Sequence, residues 1–349
     1  MIAIRYAMIA SMRRLVKKHL PKVSFIIPTL NASKFLPACL LSIRNQNYPK
    51  EKIEIIIADA FSTDDTRIIA KKFKTKIIDN PEILHEPGKS RGAKAAKGEI
   101  LFYTDADNVL STKNWLRHMV KPYLENNNIV GFLPQTIPAP DSNTLDRYLG
   151  YLCTDPFTWF IYEGITSGRE FPEKYKPLKQ TKNFLLFTFP HKDPPLFGLS
   201  QGAGSSRMFK RGKTGHADDL LAAIKIIKEK GIVAYAPQAG VYHYHVSGIR
   251  NYLKKYAWRV RNNLTQQVKG MGIVNRQKYF SNYRKMRMRL FVPYGLSLVF
   301  PALDTITLIA KHKDIVMLWH IPASFLLSFI ILVEYVKSGF GKQAVGVYE

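Results

Sequence analysis

Short apolar runs alternate with helix-spaced segments through the first third of the chain. Val23–Thr29 (VSFIIPT) carries no polar alternation, as a strand covered on both faces requires. Ser33–Gln46 then spaces Leu36, Leu40 and Ile43 along one face of a helix. Glu54–Ala60 (EIIIADA) repeats the strand pattern and Asp64–Phe73 the helical one. Lys76–Asn80 predicts a third strand, Gly88–Lys97 a basic helix, and Glu99–Asp107 (EILFYTDAD) a fourth strand that stops in acid. This is βαβ order, so a parallel sheet with right-handed crossovers follows. Ligands of such sheets bind beyond the carboxyl ends of the strands. Thr29, Asn31, Asp59, Ser62, Asp105 and Asp107 collect there.

The pattern changes toward the C-terminus. Residues 141–200 are rich in aromatics and prolines, which fits either an amphipathic stretch resting on a membrane or an insertion packed over the sheet. Leu290–Ala310 and Ile315–Val336 are each about the length that crosses a bilayer as a helix. Only Lys311–Asp314 separates them, so a C-terminal transmembrane helical hairpin is expected, with Tyr294, Trp319 and Tyr335 as interfacial anchors. At the other end, Ile4, Met8, Met12, Leu15 and Val16 share one helical side and Arg13, Arg14, Lys17 and Lys18 the other. That predicts an amphipathic segment lying on the membrane. The expected division is 1–22 amphipathic, 23–248 the α/β domain, 249–289 basic interfacial helices, 290–336 hairpin and 337–349 tail.

Charge sharpens this picture. Lys and Arg number 52 against 26 Asp and Glu, a net charge of +26 over 349 residues, which calls for an anionic partner. Residues 249–289 hold twelve basic residues and no acid. Their place beside the apolar segments, with no recognised nucleic-acid module, points to membrane lipid and away from nucleic acid. Arg284, Lys285, Arg287 and Arg289 outnumber the basic residues of the turn, so the large N-terminal part is expected on the cytoplasmic side of the cell membrane. Cys39 and Cys153 are the only cysteines, which excludes a disulfide scaffold and a thiolate zinc cluster.

No GxGxxG or GxxxxGK[ST] follows the first strand. An anionic ligand is therefore reached without a glycine-rich cradle, and a metal is the natural substitute. Asp105 and Asp107, one residue apart at a strand end, are hard oxygen ligands suited to Mn²⁺ or Mg²⁺.

Four segments, IIPTLNASKFLPACLLSIRNQNYP, EIIIADAFSTDDT, KSRGAKAAKGEILFYTDAD and HADDLLAAIKIIKEKG, resemble in order and spacing a family 2 glycosyltransferase. The resemblance covers roughly residues 23–248, and the basic segment with its apolar pair resembles a reduced cellulose-synthase-like, membrane-bound branch. It implies an α/β GT-A fold, Rossmann-like with a mostly parallel sheet. It also implies a metal-assisted, inverting transfer from a nucleotide-diphosphate sugar, GDP-mannose first and UDP-sugars next, to a hydroxyl of a lipid-linked (polyprenyl) acceptor. Pro28, Thr29 and Asn31 would border the nucleotide and Asp59 would bond the base. Lys89 and Arg91 would meet the nucleotide and its phosphates, and Asp105 and Asp107 would carry the metal–diphosphate. Asp219 matches the catalytic base, with Asp218 either its competitor or a helix cap. Gly202 and Gly204 would fall on the acceptor side or else form an ordinary turn, and His243 is either a third metal ligand or a strand-end residue bonded to backbone. Ala60 and Phe61 stand where the family usually has Asp and Gly. Two other readings stay open: a polyprenyl-phosphate sugar synthase, whose anionic acceptor needs no base, and a non-catalytic membrane-anchored binding protein.

Overall fold

Four strands lie side by side and parallel in the order β3-β2-β1-β4: β1 (Val23–Thr29), β2 (Ile53–Asp59), β3 (Lys76–Asp79) and β4 (Ile100–Tyr103). The computed structural model describes residues 20–209, 219–262 and 276–339. Helices α1 (Leu36–Arg44), α2 (Thr66–Lys72) and α3 (His85–Ala95) are the crossovers. Each lies within three residues of its expected place. The fourth strand ends earlier than its apolar pattern implies, because Thr104–Asp107 turn into a short strand, β5 (Asn108–Leu110).

The chain continues through α4 (Trp115–Glu125), β6 (Ile129–Ile137), α5 (Thr144–Leu152), α6 (Pro156–Ile161) and α7 (Phe171–Lys174). It returns as β7 (Lys179–Gln180), β8 (Leu185–Phe187), β9 (Gly204–Ser206), α8 (Asp219–Lys228) and β10 (Ile232–His243). The full sheet order is β3-β2-β1-β4-β9-β6-β10-β8-β7, with β5 on β10. β9 enters antiparallel between β4 and β6, so the sheet is mixed, though mostly parallel as expected. Gly204 makes that insertion possible. A Cβ there would lie 2.7 Å from the Phe102 ring and 2.8 Å from the Leu101 carbonyl oxygen. Its identity is thus explained by sheet packing. Gly204→Ala is expected to destabilise the fold by about 2 kcal/mol through overpacking, read as a lower denaturant midpoint at unchanged slope.

Both faces of the sheet are covered. On one, Phe102 meets Phe25, Trp115 and Phe132 at ring-centroid distances of 5.4, 5.2 and 6.4 Å. On the other, Phe171, Phe187, Phe197 and Leu199 pack on Tyr103 and Tyr235, which makes this part of residues 141–200 a packed insertion. A third cluster joins Tyr148, Leu149 and Phe160 to α9 (Ile249–Val260), α10 (Asn282–Leu296) and α12 (His320–Gly339).

The C-terminal helices depart from the expected hairpin. The first apolar segment is two helices, α10 and α11 (Val299–His312), bent by 97°. Leu298 at φ +57 makes the break. Ile315–Ser338 is long and apolar enough to cross a membrane, and it packs chiefly against α10 and α9. At its start Asp314 accepts from Arg147 and Tyr151, and the Trp319 indole donates to Thr144. Near its end Glu334 takes Arg261 in two bonds of 2.9 and 3.2 Å. Tyr294 is buried rather than interfacial, and it donates to Asp304 (2.7 Å). His320 Nε2–H must then donate to Tyr294 (2.8 Å), which leaves Nδ1 to accept from Tyr148 (2.8 Å). Such a satisfied network locks the helices in one register. Arg284 is buried over Tyr162 and Phe280, and Arg287 bonds the Phe160 carbonyl, so neither is free to meet lipid. The amphipathic segment expected over 1–22 lies, up to residue 19, outside the described residues, as does the tail from residue 340.

Candidate active site

Strand order sets the site. β2, β1 and β4 end side by side, so Asp59, Thr29 and the acidic turn fall in a row about 4.8 Å apart per strand. Asn108 closes the turn: its Oδ1 accepts from the Asp105 N–H (2.9 Å) and its Nδ2 donates to Asp107 Oδ1 (3.2 Å). β10 brings His243 beside Asn108 in register, with His243 Nε2 3.7 Å from Asp107 Oδ2. Helix α3 supplies the positive side. Gly92 lets it press on β1, since a Cβ there would lie 2.3 Å from Ile26 Cγ2. Lys89 is consequently buried, with Nζ 3.1 Å from Glu86 Oε1 and 3.8 Å from Asp105 Oδ1. His85 Nδ1, on the same turn, is 3.9 Å from Asp105 Oδ1.

The two acids are electrostatically unlike. Burial acts to raise the Asp105 carboxyl, but Lys89, His85 and His243 outweigh it and hold it below the usual range. Asp107 is pushed up to about 7 by burial and by the Asp105 charge, against Lys255 and His85. Lys255 reaches in from α9, where its Nζ donates to the His245 carbonyl (2.6 Å). Burial and Arg259 lower it to about 8, against the pull of Asp107. His243 is lowered to about 4 by burial and Lys255, and so is neutral near pH 7. Its Nδ1 is buried with no hydrogen-bond partner among the described residues.

A divalent cation fits this set in a particular way. Among the described residues no three His, Cys, Asp or Glu side chains are placed to hold an ion by themselves. Mg²⁺ and Mn²⁺ ask for less, one or two carboxylates with the remaining positions taken by phosphate and water. Two carboxylates whose repulsion leaves one of them hard to ionise are such a donor pair.

The remaining expected residues divide. Pro28 and Thr29 are buried at the end of β1, and Thr29 Oγ1 donates to Asp59 Oδ1 (2.8 Å). Asp59 is saturated. Ser62 Oγ (2.6 Å), Ser62 N–H (3.1 Å) and Arg67 (3.2 Å) take its other acceptor positions, so the carboxylate organises its own loop. Asn31 joins that loop through Thr63. Arg91 points away from the acids, bound twice to Glu82 at 2.7 and 2.8 Å on the surface. Gly202 sits at φ +81, where a Cβ would also meet Trp115 and Val241 at 3.1 Å. The preceding Gln201 backbone bonds the Asp105 carboxylate. Asp219 is the first residue of α8, of which only the backbone is described there, and Asp218 lies outside the described residues. Sequence reasoning missed Lys255 and Glu86. Lys255 adjoins Tyr256, on the buried face that Tyr252 and Tyr256 mark, and that adjacency was the available signal.

Residues 24–197 match the family described as Glycosyl transferase family 2. Over 95 residues the chain is 38% identical to Glycosyltransferase AglE of Haloferax volcanii, covering 25% of this chain and 31% of that protein. Over 98 residues it is 32% identical to the GalNAc(5)-diNAcBac-PP-undecaprenol beta-1,3-glucosyltransferase of Campylobacter jejuni, covering 26% and 31%. The chain thus spans about a third of the length of these relatives. Among solved structures, the mannosyltransferase PcManGT from Pyrobaculum calidifontis, in complex with GDP-Man and Mn²⁺, is similar at TM-score 0.51 and 16% identity. That similarity covers 91% of this chain and 88% of that one, and it is a likeness of fold.

Proposed function

Because residues 24–197 match glycosyl transferase family 2, we propose that the chain moves a sugar, with inversion, from a nucleotide diphosphate to a hydroxyl of a lipid-linked glycan. The observation that carries this reading is the acid pair Asp105 and Asp107 past the end of β4, faced by Lys89 and His243. Asp105 and Asp107 would hold Mn²⁺ or Mg²⁺, with phosphate and water in the remaining positions and His243 beside Asp107. The ion, when bound, supplies charge against the departing nucleotide diphosphate. Lys89 and Lys255 add fixed positive charge on two sides of the same spot. Pro28, Thr29 and Asn31 form the nucleotide wall, and Gly202 stands on the acceptor side, next to Gln201, whose backbone bonds Asp105. Asp219 accepts the proton of the incoming hydroxyl, at a helix start that favours its ionised form. Attack opposite the leaving group gives inversion in one step. A lipid-linked acceptor is in keeping with the Campylobacter jejuni relative, which is named for an undecaprenol-linked glycan.

In this reading the protein docks on the cytoplasmic face of the membrane through α11. Val299, Phe300, Leu303 and Ile306 are each more than half exposed on its outward face, while Pro301, Thr305 and Leu308 are buried beneath. A helix that is apolar on its solvent side, with the exposed Lys313 just past its end, suits a leaflet of anionic lipid. Full burial of such side chains is worth about 1.5–3 kcal/mol each. Phe300→Glu combined with Leu303→Glu is expected to cut flotation with phosphatidylglycerol vesicles at least about tenfold at unchanged nucleotide affinity. Undiminished flotation would remove α11 from the interface.

The activity test uses radiolabelled GDP-mannose first and UDP-sugars next, with membranes as the acceptor source and organic extraction of the product. Label should enter the lipid fraction with Mn²⁺ and not with EDTA, and should resist mild acid. Mild-acid release would favour a polyprenyl-monophosphate product, and no transfer from any donor would refute the proposal.

A further inference from the structure

Phe61 stands at φ +59, a left-handed backbone that a bulky side chain adopts only under constraint. The constraint is a lock between two loops. The Asn31 N–H donates to Ser62 Oγ (3.0 Å) and the Thr63 N–H to Asn31 Oδ1 (2.9 Å). The Ser33 N–H donates to Asp64 Oδ2 (3.0 Å) and the Ala32 N–H to Thr66 Oγ1 (2.8 Å). The Ser62 N–H ties the same loop to Asp59 (3.1 Å). Yet the ring so fixed is 53% exposed. An apolar ring held outward by a rigid, strained loop costs free energy in the backbone and in exposed area, with nothing returned inside the protein.

The return lies in its position. Phe61 follows the end of β2, and the exposed Leu30 follows the end of β1. β2 is two strands from β4, about 10 Å at sheet spacing. A nucleoside diphosphate anchored by its phosphates at Asp105 and Asp107 is long enough to set its base at the ends of β1 and β2. Asp59, already carrying four hydrogen bonds, has no acceptor position left with which to read that base. Stacking needs none. We propose that Phe61 is the aromatic platform on which the donor's nucleobase stacks, with Leu30 as its apolar neighbour. This rests on the proposed nucleotide-sugar function and adds the means by which the base is held. Stacking is tolerant of base identity and grows with ring overlap, so a purine gains more than a pyrimidine.

Calorimetric titration of the full chain in Mg²⁺ tests this, with GDP, UDP and inorganic pyrophosphate as probes. Phe61→Gly should weaken GDP about tenfold, UDP less, and pyrophosphate not at all, and Phe61→Tyr should keep the wild-type affinities. Glycine is at ease at φ +59, so the Gly variant should unfold no lower than the wild type. Unchanged nucleotide affinity in Phe61→Gly, or an equal loss for pyrophosphate, would overturn the platform alone. A wild type that binds neither nucleotide nor pyrophosphate would overturn the proposed function along with it.

Discussion

Asp107→Asn lowers sugar transfer by at least about a hundredfold and removes the dependence of nucleotide affinity on Mn²⁺, while the fold stays as stable or becomes more so. The asymmetry comes from the turn. Asn can still accept the Asn108 side-chain bond that shapes residues 104–107. What it lacks is the charge, and in the metal-free protein that charge is unfavourable, being buried beside Asp105. A variant that is dead because it misfolds would unfold earlier, and one that is dead because it has lost an ion ligand would not. Steady-state transfer over a range of Mn²⁺, with thermal unfolding in EDTA, separates the two. Full activity in the Asn variant would show that the acid pair is not the ion's seat.

Asp219→Asn is expected to lower kcat by about 10²–10⁴ and to leave nucleotide affinity and its metal response untouched. Asp218→Asn should instead leave both stability and kcat nearly unchanged, since Asn caps a helix start as well as Asp does. The comparison also reports on the acceptor. A sugar hydroxyl must lose its proton, whereas a polyprenyl phosphate oxygen is already anionic, so an enzyme of the second kind would tolerate Asp219→Asn. Single-turnover transfer in both variants distinguishes these cases.

What could be read from the chain alone follows the range of the interactions concerned. Val23–Thr29 and Ile53–Asp59 are buried on both faces and say so in unbroken apolar runs. The acid pair was legible because it ends such a run. Charged side chains were not, since their partners are chosen by the folded chain. Arg91 turns to Glu82 on the surface, whereas Lys89, two residues earlier, is buried against Glu86 and faces Asp105. The same holds at the C-terminus. Apolar content fixes that Ile315–Ser338 must leave water, and it is silent on whether lipid or protein receives it. Glu334, Asp314 and His320 meet Arg261, Arg147 and Tyr148 in contacts spanning tens to hundreds of residues, which no local pattern announces. Arg284, which reads like a juxtamembrane charge, is an internal fastener over two aromatic rings. Phe61 was visible only as a departure, and its backbone angle and exposure turn that departure into a candidate contact.

The most direct measurement is thermal unfolding of the purified full chain with GDP or UDP, in Mn²⁺ and in EDTA, beside Asp105→Ala and Asp107→Ala. A nucleotide at a hundred times its Kd stabilises a one-site protein by about 2.7 kcal/mol. The wild type should therefore unfold several degrees higher with nucleotide and Mn²⁺ together and not with either alone, and the alanine variants should not respond. A nucleotide shift that survives in EDTA, or in Asp107→Ala, would contradict a divalent cation held by these two carboxylates.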